Sequence, residues 1–343
     1  MKLFIHAPNV HHGGGRALLL NLLGALREGD RCSLILDERL EGIPALAAGS
    51  VVARVAPNIG GRLAAELRLR ELASASDRVL CFGNLPPLFR LPAEVLVYLQ
   101  NRYLVTPLPT AGLPARVRLR LALERLWLRG RLGNADILIV QTPSMQREVR
   151  RRLGRDTVIM PFADCARVPE DPPRIRRVPA RRFLYVATGE PHKNHERLIE
   201  AWSLLAAEGL FPELLLTLPQ PLPPRLSLAI ERAMQAGGVR IRNLGSLSPE
   251  ALRQAYSDAD ALIFPSIMES FGLPLLEARA AGLPVLASER DYVRDLMTPD
   301  EAFDPDSAVS IARAVRRFMK RPDGPIAVPG AGTFVDWLRS PAR

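Results

Sequence analysis

The chain predicts two α/β domains, each a parallel sheet covered by helices, and three observations carry that reading. Apolar runs of strand length alternate with amphipathic stretches of helix length almost from end to end. The 343 residues suffice for two ordinary cores and are too many for a comfortable single one. Around 163–181 the text turns to DCARVPEDPPRIRRVPARR, rich in proline and charge and poor in periodic apolar residues, as an interdomain linker is. The expected divisions are a first domain over 1–165, a linker over 166–182, a second domain over 183–320, and a tail over 321–343 that packs back on the first domain.

In order along the first half, strands are expected at 2–7, 32–36, 78–82, 94–99, 136–140 and 157–160. Helices fill the gaps, notably 15–27, 62–74, 115–132 and 143–153. The second half restarts with FLYVAT (183–188), then ELLLTL (213–218), VRIRNLG (239–245), ALIFPS (261–266) and PVLAS (284–288), each followed by a helical pattern. Such short, fully apolar runs are what strands buried on both faces look like. No repeat of 20–50 residues is evident, which sets solenoids and propellers aside.

Composition narrows the class. No stretch reaches the roughly 18 apolar residues of a membrane-spanning helix. The opening MKLFIHAPN reads as a strand rather than a secretory leader. Cys32, Cys81 and Cys165 are widely spaced without a C-x-x-C pair, which suits a reducing cytosol and no metal site. The net charge of +10, almost wholly arginine, suits nucleic acid, an acidic membrane surface, a phosphorylated substrate, or simply a solvated basic face.

In doubly wound sheets ligands bind beyond the carboxyl ends of strands, so the residues after each apolar run matter most. In GEPHKNHERLIEAW (189–202), Asn194 is a candidate N-cap and Lys193 precedes it, a lysine beside the free N–H groups of a helix start, which together suit phosphate. In PSIMESFGLPLLEARAAGLPV (265–285), Glu269 and Glu277 stand eight positions apart around Phe271-Gly272-Leu273-Pro274. Pro274 fits a helix start, Gly272 allows close backbone approach, and the amides of 271–273 would face an anion, with Glu277 in the opening helical turn. A lone lysine or a lone glutamate at a helix start is usually a solvated or dipole-compensating group. The combination is more specific than its parts.

That run, preceded by LGSLSPEALRQAYSDADALIF and further upstream by PHKNHERLIEAW, resembles the retaining glycosyltransferases of the GT-B fold, the large group with two glutamates spaced this way. The resemblance is strong over about 183–290 and weak over the first half. It implies two Rossmann-like parallel-sheet domains facing each other across a cleft, and transfer of a hexose, mannose among the options, from a UDP-, GDP- or dTDP-linked donor to a saccharide or lipid-linked acceptor of surface polysaccharide or glycolipid synthesis. Neither cofactor nor metal is implied. Residue by residue it places Glu277 on the ribose, Glu269 on the donor sugar, Lys193 on the diphosphate, and Phe271, Gly272 and Leu273 around phosphate and sugar, with Asn243–Leu247 near the base. Glu269 and Lys193 are the expected catalytic pair. The group often has an arginine shortly before the lysine; here that loop reads Thr188-Gly189-Glu190.

In the first half, HHGGGRALLLNLL (11–23) is not G-x-G-x-x-G, so the dinucleotide fingerprint fails despite Asp37 ending the second expected strand. The resemblance makes it a glycine loop over the donor phosphate, with Gly14 and Gly15 as contacts. YLQNRYLV (98–105) offers Gln100, Asn101 and Arg102 where related enzymes often have a histidine near the sugar, so these are expected to touch sugar or acceptor. His6, His11 and His12 are possible polar contacts. The segment 113–133, six arginines interleaved with leucine, valine and tryptophan, is either a core helix with a basic solvated side or a surface resting on anionic lipid, with Trp127 and leucines dipping in. The expected location is cytoplasmic, with peripheral membrane contact in the second case. A nucleic-acid-binding protein is the rival from another class, weakened by 6% aromatics and no recognisable domain pattern. An epimerase, a phosphorylase or an NAD-dependent oxidoreductase is the rival on similar architecture.

Overall fold

A computed structural model describes residues 2–26, 32–46, 48–106, 113–163 and 181–320. The first sheet comprises β1 (Leu3–Ala7), β2 (Cys32–Asp37), β3 (Val51–Val55), β4 (Arg78–Cys81), β5 (Glu94–Tyr98), β6 (Ile137–Val140) and β7 (Val158–Ile159), all parallel, in the order β3-β2-β1-β4-β5-β6-β7. Its helices are α1 (Gly13–Gly24), α2 (Ile59–Leu72), α3 (Arg102–Val105), α4 (Ala115–Gly130) and α5 (Pro143–Leu153). The second sheet runs β10-β9-β8-β11-β12-β13, again all parallel, from β8 (Arg182–Tyr185), β9 (Glu213–Leu216), β10 (Arg240–Asn243), β11 (Ala261–Phe264), β12 (Val285–Ser288) and β13 (Glu301–Phe303). Around it lie α6 (His195–Ala207), α7 (Pro224–Gln235), α8 (Pro249–Asp258), α9 (Leu273–Ala280), α10 (Asp291–Arg294) and α11 (Ala308–Phe318).

Every expected strand is present, and two were missed. β3 is an edge strand whose Val51 and Val52 are exposed, and β13 is only three residues long, so neither shows the fully apolar run of a central strand. Along β1 the side chains alternate between faces: Phe4 enters the core formed with Val79, Val97, Leu128 and Val140, while Ile5 and Ala7 enter the one formed with Leu19, Leu36, Phe82 and Tyr98. The second domain has a single core in which Phe183, Trp202 and Phe318 meet edge to face. The expected linker lies outside the described residues except for Arg181 and Arg182, whose amides are held by the Asp260 carboxylate as β8 begins. The tail expected over 321–343, and Cys165, also lie outside them; Cys32 and Cys81 are buried free thiols.

In each sheet the strand order reverses next to the first strand, at β1/β4 and at β8/β11. Crossovers leaving in opposite directions open a crevice at the carboxyl ends there. The sequence just beyond those ends is 8–15 and 82–84 in the first domain and 186–194 and 265–270 in the second, which is where the chemistry-bearing residues fall.

Candidate active site

In the second domain the loop after β8 and the loop after β11 are stitched together. The Tyr185 hydroxyl donates to the Lys193 carbonyl at 2.7 Å and lies 3.0 Å from Ser266 Oγ, and the Tyr292 hydroxyl donates to the Ser266 carbonyl. The Ile267 amide donates to the His192 carbonyl. Asn194 takes a left-handed conformation (φ 63°), and its side chain donates to the carbonyls of Pro265 and Pro305 instead of capping α6. The N-cap expected of Asn194 is thus replaced by a tie between loops.

These ties bring Lys193 and Glu269 together: Nζ lies 2.7 Å from Oε1, with the side chains 17% and 12% exposed. The lysine expected beside free amides is therefore ion-paired. Eight positions on, Glu277 is half-buried and accepts from the Tyr256 hydroxyl at 2.7 Å. Burial pushes its carboxyl above the usual range, against the pull of that hydrogen bond. It is the fifth residue of α9, not in the opening turn as expected, because the helix starts at Leu273 behind Gly272, which sits at φ 86°. Phe271 is buried, so backbone rather than ring is what it offers a ligand. A Cβ on Gly272 would stand 3.1 Å from Leu275 Cδ1 in a conformation other residues rarely adopt.

Helix starts fall into two groups. Four of them, α2, α5, α8 and α11, are capped by the side chains of Asn58, Thr142, Ser248 and Ser307. Among helices of eight or more residues, α1, α6 and α9 begin at the crevice without a side-chain cap; α4 and α7, also uncapped, open beside prolines. The leading N–H groups of a helix have no intrahelical acceptor, and the dipole favours an anion there. Gly14 and Gly15 are thus not in a loop, as expected, but in the first turn of α1. A Cβ on Gly14 would lie 3.5 Å from Leu273 Cδ1 of the second domain, and Leu273 packs against the core beneath α1. Gly14 and Leu273 are neighbours across the cleft.

The loop after β5 completes the seam. Asn84 (φ 71°) accepts the amides of Gln100 and Asn101, and the Asn101 side chain caps α3 through the Tyr103 amide. Asn101 is therefore occupied as a cap. Gln100 donates to the Phe82 carbonyl, while its Oε1 is buried without a partner. The Arg102 amide donates to Ser270 Oγ at 3.1 Å, and Tyr103 Oη lies 3.2 Å from His192 Nδ1. Burial, then the charge of Lys193, pushes His192 below the ordinary histidine range; Glu269 and Glu190 oppose this. Further along the interface the Ser144 amide donates to Asp295 at 2.9 Å. Sequence reasoning missed Tyr103, His192, Ser270, Tyr256 and Ser266. All five stand inside segments already singled out, but their partners lie far off in the chain.

Other residues singled out in the sequence have local partners. The side-chain oxygen of Asn243 accepts from the amides of Leu218 and Gly245, and its nitrogen donates to the Leu218 carbonyl, so its polar atoms bind the ends of β9 and β10 together. Leu247 packs against the second core. Asp37 is held by the Arg39 guanidinium and amide, and burial, the largest influence, is outweighed by these bonds, which keep the carboxyl low. His6 is buried 3.6 Å from Glu66, and His11 lies beside Asp37. Trp127 donates to the Pro86 carbonyl under the Arg62 guanidinium, so it is not free to enter a membrane. Among the described residues no group of three or more His, Cys, Asp or Glu is placed to hold a metal ion. None of the described helices is long and apolar enough to cross a membrane.

Two parallel-sheet domains meeting at the carboxyl ends of their strands, with paired glutamates, a lysine and uncapped helix starts at the seam, define a GT-B protein. Residues 171–326 match the family described as Glycosyl transferases group 1, and the second domain is of that type. The chain is 36% identical over 107 residues to O-antigen chain mannosyltransferase B of Escherichia coli, covering 31% of this chain and 28% of that one. It is 28% identical over 205 residues to a GDP-mannose-dependent alpha-(1-6)-phosphatidylinositol dimannoside mannosyltransferase of Mycobacterium tuberculosis, covering 56% and 51%. These matches span from about a quarter to half of the relatives' own lengths. The fold is similar over the whole chain to solved structures. Sucrose-phosphate synthase from Thermosynechococcus elongatus has TM-score 0.65 at 18% identity, covering 94% of this chain and 90% of that one. Anabaena HepE in complex with UDP and glucose has TM-score 0.64 at 16%, covering 92% and 89%.

Proposed function

We propose that the protein is a retaining hexosyltransferase, of mannosyltransferase type, moving a sugar from a nucleoside-diphosphate donor to a saccharide or lipid-linked acceptor of surface polysaccharide or glycolipid synthesis. The observation that carries this is the constellation of Lys193 and Glu269 at 2.7 Å, Glu277 on α9, and the uncapped mouths of α1 and α9 on facing sides of one crevice. Departure of a diphosphate puts negative charge on the leaving group while positive charge builds on the anomeric carbon. Fixed donors aimed at that charge are commonly the largest catalytic contribution. In this reading Lys193 and the amides at 271–273 and 14–15 meet the diphosphate, Glu277 takes the ribose, and Glu269 orients the sugar. The acceptor attacks on the face the diphosphate leaves, and a diphosphate oxygen takes its proton. Transfer then needs no metal, and activity should persist in excess chelator. The similarity to a GDP-mannose-dependent mannosyltransferase makes GDP-mannose the first donor to try, with UDP- and dTDP-sugars beside it. A thermal-shift panel of UDP, GDP, dTDP, CDP, NAD and a short oligonucleotide tests the class. A nucleoside diphosphate at a hundred times its dissociation constant should stabilise by about 2.7 kcal/mol. Response only to NAD or to the oligonucleotide would defeat the reading.

A peripheral membrane position belongs to the same proposal. Leu119, Leu123 and Leu126 of α4 are 63%, 59% and 71% exposed at spacings of one helical face, flanked by exposed Arg116, Arg118, Arg120 and Arg129. Apolar contact with lipid tails plus attraction to anionic headgroups supports this better than a solvated face, which would not require three exposed leucines. The protein should co-sediment with anionic vesicles at low salt and less with neutral ones. Equal behaviour with both would remove the idea.

A further inference from the structure

Arg102 opens α3 just beyond β5, at the seam with the second domain. Its amide is anchored on Ser270, but among the described residues its guanidinium has no carboxylate partner. Nη1 reaches only the Glu269 carbonyl oxygen, at 3.5 Å, a marginal hydrogen bond, and Nε is buried without a partner. Buried polar groups in folded proteins are normally satisfied, so a guanidinium left this way calls for an explanation. Arginines elsewhere in the protein have a carboxylate partner: Arg39 on Asp37, Arg317 on Glu301, and Arg62, whose Nε is also without a partner, on Glu66.

Charge beside α9 gives the explanation. Lys193 is matched by Glu269, so the pair offers a diphosphate no net positive charge. The loop before Lys193 carries Thr188-Gly189-Glu190 and no cation. Arg225 touches that loop at the Gly189 carbonyl but is already paired with Glu196. A nucleoside diphosphate would thus bring at least two negative charges to a site whose second-domain side chains are balanced before it arrives. Arg102 and Lys193 approach Glu269 from its backbone and its carboxylate respectively, placing the unmatched cation beside the matched one.

We propose that Arg102, reaching from the first domain, supplies the second cation for the donor's diphosphate and binds its phosphoryl oxygens through the guanidinium fork. This rests on the donor reading above and goes beyond it, since it makes the phosphate site a product of both domains. Diphosphate would then hold the domains together, and nucleoside alone would not.

The test is calorimetric titration of nucleoside, nucleoside monophosphate and nucleoside diphosphate, in the base the thermal panel selects, into wild type, R102Q, R102K, R225Q and R68Q. Arg68 is exposed on α2, so R68Q removes the same charge away from the cleft. The R102Q variant keeps the amide that bonds Ser270, and its melting temperature reports whether the fold is intact. The expected result is diphosphate affinity at least tenfold weaker in R102Q, about 1.4 kcal/mol, with nucleoside affinity within twofold of wild type. R102K should recover part of the loss, and R225Q and R68Q should follow wild type. Equal losses for nucleoside and diphosphate would reduce Arg102 to a structural role, and loss confined to R225Q would move the second cation to α7. Unchanged diphosphate affinity with a raised KM for acceptor would assign Arg102 to the acceptor. Each of these overturns the inference while leaving the donor reading intact. A wild type that binds no nucleoside diphosphate overturns both.

Discussion

The second domain carries its chemistry in contiguous text, whereas the first carries its share as isolated residues delivered by topology. Lys193, Glu269 and Glu277 stand in two segments whose spacing already suggests a phosphate and sugar site, and the fold needs only to lay one loop against the other. Gly14 and Arg102 come from the starts of two separate helices of the first domain and meet the second domain only across the cleft. The difference teaches that a donor half can be recognised from local pattern, while the half that closes on it is recognisable only once both switch points are known.

Replacing Lys193 by Met attacks the comparison hardest. It removes the cation proposed to meet the diphosphate in the second domain and leaves the half-buried Glu269 opposite an apolar end, so turnover should fall by about 10²–10³-fold, or roughly 3–4 kcal/mol of transition-state stabilisation. A steady-state assay with the donor that the binding panel selects checks this. A fall of less than threefold would shift the weight to the first domain.

Acid should unsettle both domains through buried histidines, His195 in the second and His6 in the first. His195 is buried with neither ring nitrogen partnered, and burial, followed by Lys193 and Arg225, pushes it down to about 3. An unfolded histidine titrates near about 6.5, so from there down to about 3 the unfolded chain binds a proton that the folded chain refuses. The stability contributed by keeping His195 neutral is therefore complete above about 6.5 and lost as pH falls, at a slope approaching 1.4 kcal/mol per pH unit. His6 is pushed the same way by burial and Arg62. Denaturant midpoints between pH 7 and 4 should fall more steeply in wild type than in His195→Phe. Parallel slopes would show that His195 takes up no extra proton on unfolding.

Smaller effects sharpen the seam itself. Ser270→Ala deletes the acceptor of the Arg102 amide and should cost about 1 kcal/mol or less, with a larger effect on KM for donor than on the melting temperature. Gly14→Ala places a methyl 3.5 Å from Leu273, an ordinary contact, and should change donor affinity by less than about threefold, under 0.7 kcal/mol. Gly14→Leu should wedge the same contact apart and weaken donor binding further. Equal binding by the two variants would mean that the domains do not close there.

How far the sequence reaches can be seen in particular elements. β8, β11 and β12 are central, buried on both faces, and their apolar runs are unambiguous. β3 is exposed on an edge and so has no such run. Glu277 is expected in the right helix, but the start falls one residue earlier than Pro274, because Gly272 adopts a left-handed conformation and Leu273 opens α9. Asn194 looks like a cap by residue type, and the resemblance puts Asn243 near the base; their side chains tie loops and strand ends to partners as far as 111 and 25 residues away. The Tyr103–His192 and Arg102–Ser270 contacts join positions 89 and 168 apart, and no local pattern encodes them.

Direct titration of the selected nucleoside diphosphate into wild type and the Lys193→Ala/Glu277→Ala double variant bears most directly on the central claim, that one lysine, one ribose-binding glutamate and the mouth of α9 hold a nucleotide donor. The account predicts saturable binding by wild type and at least a hundredfold weaker binding by the variant at unchanged melting temperature. Equal affinity in the two proteins, or no binding by wild type, would contradict it.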